Sequence, residues 1–444
     1  AGNARGDRTL SFSLKNKVDT YGGFNGTETE RKPLGDHNRT VLNGEIDDNS
    51  TLRSLHVVTA MEINATLSGF QIAKGNANGR AEDSNGGGLY VTGSALTVGK
   101  CVFSDNVATK GGGIYSYDSS LSVVDCSITG NTANHGFGDG GGLYLSNRYG
   151  VESKSVIIDT DFTANGGGAV ELTNSSPLFE RCKFHKNYSS WSGGGAINGG
   201  SLTLKECVFS ENTAGTGGAL RLSRESTSIY NCVFIGNKAL SLAGGEGGAI
   251  YIGSSGVVIA NCLFHDNISG HGGALSNSSS SAFIRNCTFS GNKATGGYGG
   301  GIDDSSDLVD ISNCIFFQNE AALGPPHLKN SSAPGKSLSK VRYSIIPGGY
   351  DGVGNVNASP GFLNPGNPKG ADGLWFTEDD GFRLLADSPG VNAGDNDSLP
   401  SDEADLDGDG NFTEPIPFDL AGFRRVQNSR VDAGAYESGT SDPN

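Results

Sequence analysis

Residues 247–267 read GGAIYIGSSGVVIANCLFHDN. Two glycines open the stretch. Ile250 and Ile252 then alternate with Tyr251, which is the period of a half-buried strand. Ser254-Ser255-Gly256 turns the chain. Val257 and Ile259 point inward on a second strand, with Val258 outward. Cys262 and Phe264 face the core on a third segment, and Asn267 closes it at a turn. Three short strands and three turns in about 25 residues leave no room for a crossover helix.

The same text returns through the chain. Cys-x-Phe-x-x-Asn stands at Cys101-Phe103-Asn106, Cys182-Phe184-Asn187, Cys207-Phe209-Asn212 and Cys232-Phe234-Asn237. It continues at Cys262-Phe264-Asn267, Cys287-Phe289-Asn292 and Cys314-Phe316-Asn319, and Cys126-Ile128-Asn131 and Thr160-Phe162-Asn165 are degenerate copies. A fixed period this short means stacked units that share one core with their neighbours. The expected fold is all-β: a right-handed parallel β-helix, or solenoid, of about 25 residues per coil, capped at both ends. Residues 1–39 read as an N-terminal cap and lead-in, 40–319 as the coils, and 320–444 as irregular coils with a loop-rich C-terminal cap.

Composition agrees with that architecture. Glycine supplies 70 of 444 residues, with no Gly-x-y period, and pairs such as Gly194-Gly195, Gly247-Gly248 and Gly272-Gly273 mark one fixed turn. No βαβ context follows them, so they are not a dinucleotide fingerprint. The Asn column suits a ladder of side-chain amides bonding above and below. All eight cysteines fall in one repeat column without a CxxC pair, which reads as buried thiols rather than a metal centre. A formal charge of −16 disfavours nucleic acid and anionic membrane as partners. No run of 18 apolar residues exists, so no transmembrane segment is expected.

Chemistry has fewer signals. One outward residue follows each glycine turn, giving a column of Tyr90, Tyr115, Tyr144, Glu171, Asn198, Arg221, Tyr251, Ser276 and Asp303. Its members rise roughly 5 Å per coil, about the rise per sugar in an extended glycan. The plain reading of this column is a solvated sheet face; the functional one is a binding groove walled by variable loops. Glu171, Arg221, Glu246, Tyr251 and His271 are the candidate catalytic residues, and Tyr144, Trp191, Asn198, Tyr298 and Asp303 the candidate substrate-binding ones. A hydrolase needs two carboxyl groups at a set separation, for which Glu171 with Glu246, or Asp303 with a loop carboxylate, are the candidates. A lyase needs a base, here Tyr251 or His271, and a cation such as Arg221 to neutralise a uronate.

Residues 405–416, DLDGDGNFTEPI, carry an ion signal. Asp405, Asp407 and Asp409 occupy positions 1, 3 and 5 of a calcium loop of the EF-hand type, with Gly410 at 6. The Asn411 carbonyl fits position 7. Position 12 is Ile416 rather than Glu, and Glu414 is placed to reach in. Structural Ca2+ bracing the tail is the expectation.

GGAI/GGAL and FxxN, as in Gly248-Ala249-Ile250 and Phe234-x-x-Asn237, resemble the repeats of chlamydial polymorphic outer-membrane proteins over about residues 86–319. That resemblance implies a surface adhesin with a β-helical passenger; the C-terminal membrane barrel of those proteins has no counterpart here. YGGFNGTE at 21–28, SPGVNAGD at 388–395 and DAGAYE at 432–437 are similar to large secreted β-helix proteins of environmental bacteria. Pectate lyases and several glycoside hydrolases share the expected fold, but their diagnostic sites are not found. The sequence thus points to a secreted or cell-surface bacterial protein, a monomer, that binds polysaccharide or a surface glycan. The alternative is a polysaccharide lyase or glycoside hydrolase using the same groove.

Overall fold

The computed structural model describes residues 7–24, 40–46, 52–134, 139–151, 153–190, 193–223, 226–240, 244–253, 256–306, 308–330 and 340–439. The chain is an all-β parallel solenoid of about 10 turns with about 27 residues per turn. Among the described residues helix is confined to two single 3-10 turns, Ala81–Ser84 and Asn396–Ser398. Contacts divide the chain into two compact units, residues 1–202 with 209–221 and residues 203–208 with 222–444.

In the first unit each coil contributes to three parallel sheets. First strands run from Phe12–Ser13 and Val58–Met61 through Leu89–Thr92, Ile114–Tyr117, Leu143–Ser146 and Val170–Thr173 to Ile197–Gly199. Second strands include Thr20–Tyr21, Asn64–Ser68, Ala95–Gly99 and Ser120–Val124. Third strands include Thr40–Asn43, Phe70–Ala73, Val102–Ser104, Ser127–Thr129, Asp161–Thr163 and Lys183–His185. The second unit repeats the plan, for example with Ile250–Ile252, Leu275–Asn277, Ile302–Asp304 and Leu328–Asn330 as first strands.

One expectation needs correction. A fourth strand of two residues follows the Asn turn in many coils, as in Val107–Ala108 and Ile268–Ser269, because the amides beyond that turn pair before the loop departs. The segment 1–39, read as a cap and lead-in, contributes strands to the sheets. Phe12–Ser13 and Thr20–Tyr21 already pair within the first and second sheets, while 1–6 and 25–39 lie outside the described residues.

Like residues stack on like. Phe162, Phe184 and Phe209 lie with ring centroids 4.8 and 4.7 Å apart and planes within 6°. Phe234, Phe264, Phe289 and Phe316 repeat this at 4.7–4.9 Å. These distances are the strand spacing itself, about 4.8 Å, so the backbone ladder sets how the rings meet. The eight cysteines are buried. Cys126 Sγ accepts from Cys101 N and Cys314 Sγ from Cys287 N, each at 3.4 Å from the coil before. Thr160 and Ser344 fill the same column with a hydroxyl that accepts from Cys126 N and Cys314 N.

The asparagine column is the most fully bonded. Asn165 Oδ1 accepts from both Asn131 N and Asn131 Nδ2 at 3.1 Å. Asn165 Nδ2 donates to Ile128 O at 2.8 Å and to Asn187 Oδ1 at 3.0 Å. Each amide therefore ties its own coil to those on either side, wholly out of water.

After Ile345 the chain leaves the stack. The loop-rich tail, expected as a terminal cover, packs along the outer face of the third sheet of its own unit. Val233, Leu263, Ile315 and Ile345 are buried there with Phe362, Phe382, Leu420, Ala433 and Tyr436. Asn231, Asn261 and Asn313 precede coil cysteines in left-handed conformation and donate side-chain N–H to the tail carbonyls of Asp419, Phe418 and Asp395. The DAGAYE motif lies inside this seam. Gly434 sits at φ +93 where a Cβ would come within 2.7 Å of Ile315. Glu437 pairs with the fully buried Arg425 at 3.3 Å, and Tyr436 donates to Asp380 Oδ2 at 3.0 Å. The motif works in packing, not in chemistry.

Replacing Asn165 with Ala strands several buried partners, each worth about 1–3 kcal/mol. Asn165→Ala is expected to lower unfolding stability by at least about 3 kcal/mol in urea titration. Asp161→Ala, at an exposed site in the same coil, should stay within about 0.5 kcal/mol of wild type.

Candidate functional site

In the first unit Tyr90, Tyr115, Tyr144, Glu171 and Asn198 stand in strict register, one per coil, on the outer face of the first sheet. The register matches the sequence expectation; the exposure does not. Tyr90 and Tyr144 are only 5% and 6% exposed, while Tyr115, Glu171 and Asn198 are half-buried, so the tyrosines are not a solvated face. The tyrosine rings stack at 5.5 and 5.4 Å, tilted by 8° and 17°, and His56 lies 4.9 Å from Tyr90. Burial lifts the Tyr90 hydroxyl to about 12, helped by Glu82 and Asp83.

Cover comes from a second column that the sequence reading missed. The residue just before each glycine turn flanks the first-strand column, and Asn85 pairs with Lys110 across adjacent coils. Lys110 Nζ lies 4.9 Å over the Tyr144 ring and donates to its hydroxyl at 3.3 Å. Asp139 holds the same position one coil on. The signal was present as the side chain preceding Gly111 and Gly140.

Glu171 follows Tyr144 in the register. It is half-buried, and Asn198 Nδ2 donates to its Oε2 at 2.7 Å. Desolvation pushes the Glu171 carboxyl up to about 8; the Asn198 hydrogen bond opposes this, Asp139 adds to it, and Arg221 and Lys110 oppose it. Arg221 Nη1 reaches Asn198 Oδ1 at 3.5 Å, while its Nε is enclosed without a hydrogen-bond partner. Burial thus makes Glu171 hold its proton to higher pH than an ordinary carboxyl does. Asp139 is a carboxylate whose charge acts on it; Glu246 belongs to the other unit.

In the second unit the first-strand column runs Tyr251, Ser276, Asp303 and Lys329. The flanking column runs Glu246 and His271, which pair as a bridge, and then Tyr298. Gly272 follows His271 at φ +60, a left-handed turn in which a Cβ would meet Leu275 O at 2.3 Å. That turn sets His271 beside the sheet. Its Nδ1 lies 3.3 Å from Asp303 Oδ2, and Lys329 Nζ lies 3.3 Å from Asp303 Oδ1. Asp303 thus meets an imidazole on one oxygen and an ammonium on the other.

The Tyr298 ring closes the group, 6.2 Å from His271 and 5.3 Å from Lys329 Nζ. Tyr298 and the His271 side chain are both 37% exposed, against 6% for the side chain of Asp303. Gly297 is required here, because a Cβ on it would stand 2.1 Å from the His271 ring. Tyr251 donates to Ser278 Oγ at 3.2 Å. Lys329 escaped the sequence reading because its coil lies beyond the last Cys-x-Phe-x-x-Asn unit, although Leu328-Lys329-Asn330 keeps the strand alternation. Trp191 lies outside the described residues.

The acidic loop of the tail gathers as its spacing required. Carboxylate oxygens of Asp405, Asp407 and Asp409 lie within 4.8 Å of one another, as do those of Asp402, Asp407 and Glu414. Asn411 bonds inward through Nδ2 to Glu414 Oε2 at 3.1 Å. Asp402 was not singled out from sequence, since it precedes the repeat of alternate aspartates.

The fold defines a parallel β-helix protein. Residues 138–246 and 195–324 match the family model described as a right handed beta helix region, and residues 100–117 match the Chlamydia polymorphic membrane protein repeat. No curated protein matches the chain. Among solved structures it is similar to one titled "Crystal structure of pectate lyase Pel9A", at a TM-score of 0.46 and 12% identity over 89% of this chain and 100% of that one. Among the described residues no helix is long and apolar enough to cross a membrane.

The raised Glu171 acid makes a signed pH prediction. Its folded value of about 8 exceeds its ordinary 4.5, so between those limits the folded state holds the extra proton and stability falls as pH rises. Above about 8 the loss is complete. Urea midpoints measured across this range should fall with pH in wild type and fall less in Glu171→Gln. Glu437, also raised to about 8 by burial, contributes equally to both proteins and cancels in the difference.

Proposed function

We propose that this is a secreted or cell-surface protein that binds polysaccharide, with the Tyr298, His271, Lys329 and Asp303 cluster as its contact point. One observation carries the reading. An exposed aromatic ring stands beside a half-exposed imidazole and an ammonium, both fixed by a buried carboxylate. Sugar rings are held in this way, by an aromatic face for their C–H surface and oriented polar groups for their hydroxyls. Glu246 and Tyr251, on the same two columns, extend the contact by one coil. The tyrosine stack of the first unit is too enclosed to serve as a platform, which moves the proposed contact away from Tyr144. The Chlamydia repeat match supports display at a surface, and the charge of −16 makes nucleic acid an unfavourable partner. The protein is read as a monomer.

A second reading has its own observation. A carboxyl that stays protonated to about pH 8 is what a glycoside hydrolase asks of its general acid. Glu171 with Asp139 as the second carboxylate, and Asn198 and Arg221 as positioning groups, would make such a site. His271 held by Asp303 is the corresponding base for a lyase.

Affinity electrophoresis through gels containing neutral and acidic polysaccharides tests the first reading. Retardation by at least one glycan is expected, weakened about tenfold in Tyr298→Ala, the loss of one aromatic contact. Unchanged retardation in Tyr298→Ala and His271→Ala would remove the cluster from the binding surface. New reducing ends, or ultraviolet absorbance from an unsaturated uronate, would decide for an enzyme. Abolition by Glu171→Gln would point to the hydrolase, and by His271→Ala to the lyase.

A further inference from the structure

We propose that the loop from Asp402 to Glu414 binds one Ca2+ ion and that this ion fastens the tail to its coils. Alternate aspartates alone would be an acidic turn. The added observation is Asp402, which is fully buried and has Oδ1 without any hydrogen-bond partner. Its Oδ2 accepts from Leu406 N at 2.8 Å, so the carboxylate is held firmly while its other oxygen is left for a ligand. A buried carboxylate oxygen without a donor is costly unless a cation meets it. Asp407 and Glu414 bring carboxylate oxygens within 4.8 Å of Asp402, and Asp407 also belongs to the set with Asp405 and Asp409. Asp407 is the shared member, so the ion is assigned to its side of the loop.

The rest of the loop is organised to keep these oxygens together. Asp405, Asp407 and Asp409 each use Oδ1 to accept a backbone N–H within the loop, from Gly410, Asp409 and Asn411 respectively. The two ends are clamped by the antiparallel bridge of Ser401 with Pro415 and by Asp402 N donating to Glu414 O at 2.7 Å. Six carboxylates on such a short closed loop, Glu403 included, repel one another. A hard divalent cation taking many protein oxygens at flexible geometry relieves that repulsion, and this favours Ca2+ over Mg2+.

The loop is also joined to the stack. Lys205 Nζ donates to Asp405 O at 2.9 Å, and Ile416, just past Glu414, is buried against Tyr230 and Ala260. An ion that rigidifies the loop therefore holds the tail on the second-strand side of its unit. The assignment is independent of any glycan reading.

Isothermal titration of the full chain with Ca2+, after chelation with EGTA, tests it together with thermal melting. Binding is expected at about 0.1–1 mM or tighter, the range of extracellular calcium modules, with Mg2+ weaker and the melting temperature raised by Ca2+. Asp402→Asn and the exposed Asp407→Asn should each weaken binding by at least about tenfold while circular dichroism shows the fold intact. No heat and no melting shift up to about 10 mM Ca2+ would overturn the site. Wild-type affinity in Asp402→Asn would overturn the role given to the buried carboxylate, and Asp407→Asn decides alone if Asp402→Asn does not fold.

Discussion

A buried asparagine amide must find two donors' worth of partners, and in this chain it finds them only if the next coil is in register. Asn106, Asn131, Asn165, Asn187 and Asn212 form one such series and Asn237, Asn267, Asn292 and Asn319 another. A coil slipped by one residue would turn every Phe and Cys outward and leave every amide unpaired, each at a cost of about 1–3 kcal/mol. Register is therefore held by polar demand as well as by hydrophobic burial. The stacking of phenylalanine at 4.7–4.9 Å follows from that register and does not compete with it.

This explains which parts of the structure were legible in the sequence. Inward columns repeat because each rung must match its neighbours, so Cys, Phe and Asn spell out the coil directly. Even the departures are lawful: Thr160 and Ser344 keep an acceptor at the cysteine position. The outer first-strand column was readable for the same reason, since its register is fixed by the inner one. Its exposure was not. Whether Tyr144 sees water depends on Lys110, which lies in the preceding coil's turn and has no reason to repeat.

The tail illustrates the other limit. At the middle position of Cys-x-Phe one unit has Ser127, Asp161 and Lys183, with Val102 as an exception, and the other has Val208, Val233, Leu263 and Ile315, with Thr288 as an exception. That shift from mostly polar to mostly apolar marks a covered outer face, and it is the only trace such a seam leaves in the sequence. What covers it could not be read, because the tail makes few regular strands and joins the coils through isolated contacts such as Asn231 to Asp419 and Asn313 to Asp395. The terminal motifs looked like family signatures. The DAGAYE motif is structurally a point where a loop-rich segment must fit a regular surface without clash, as Gly434 does against Ile315.

The same division governs the candidate site. Nothing in the stack constrains the residue before a glycine turn beyond its backbone, so that column is free to hold Lys110 and Asp139 in one unit and Glu246, His271 and Tyr298 in the other. Chemistry can accumulate there at no expense to the core. Two outcomes of that freedom are seen. At Lys110 and Asp139 the flanking column closes over its neighbours, raising the proton affinity of Glu171 by desolvation. At His271 and Tyr298 it stays half open, with Asp303 beneath holding the imidazole and Lys329 in place. Closure favours an acid that keeps its proton, whereas openness favours contact with a ligand arriving from solvent. The binding reading rests on the second arrangement because a polysaccharide needs access along the coil, and access is what the enclosed tyrosine stack lacks.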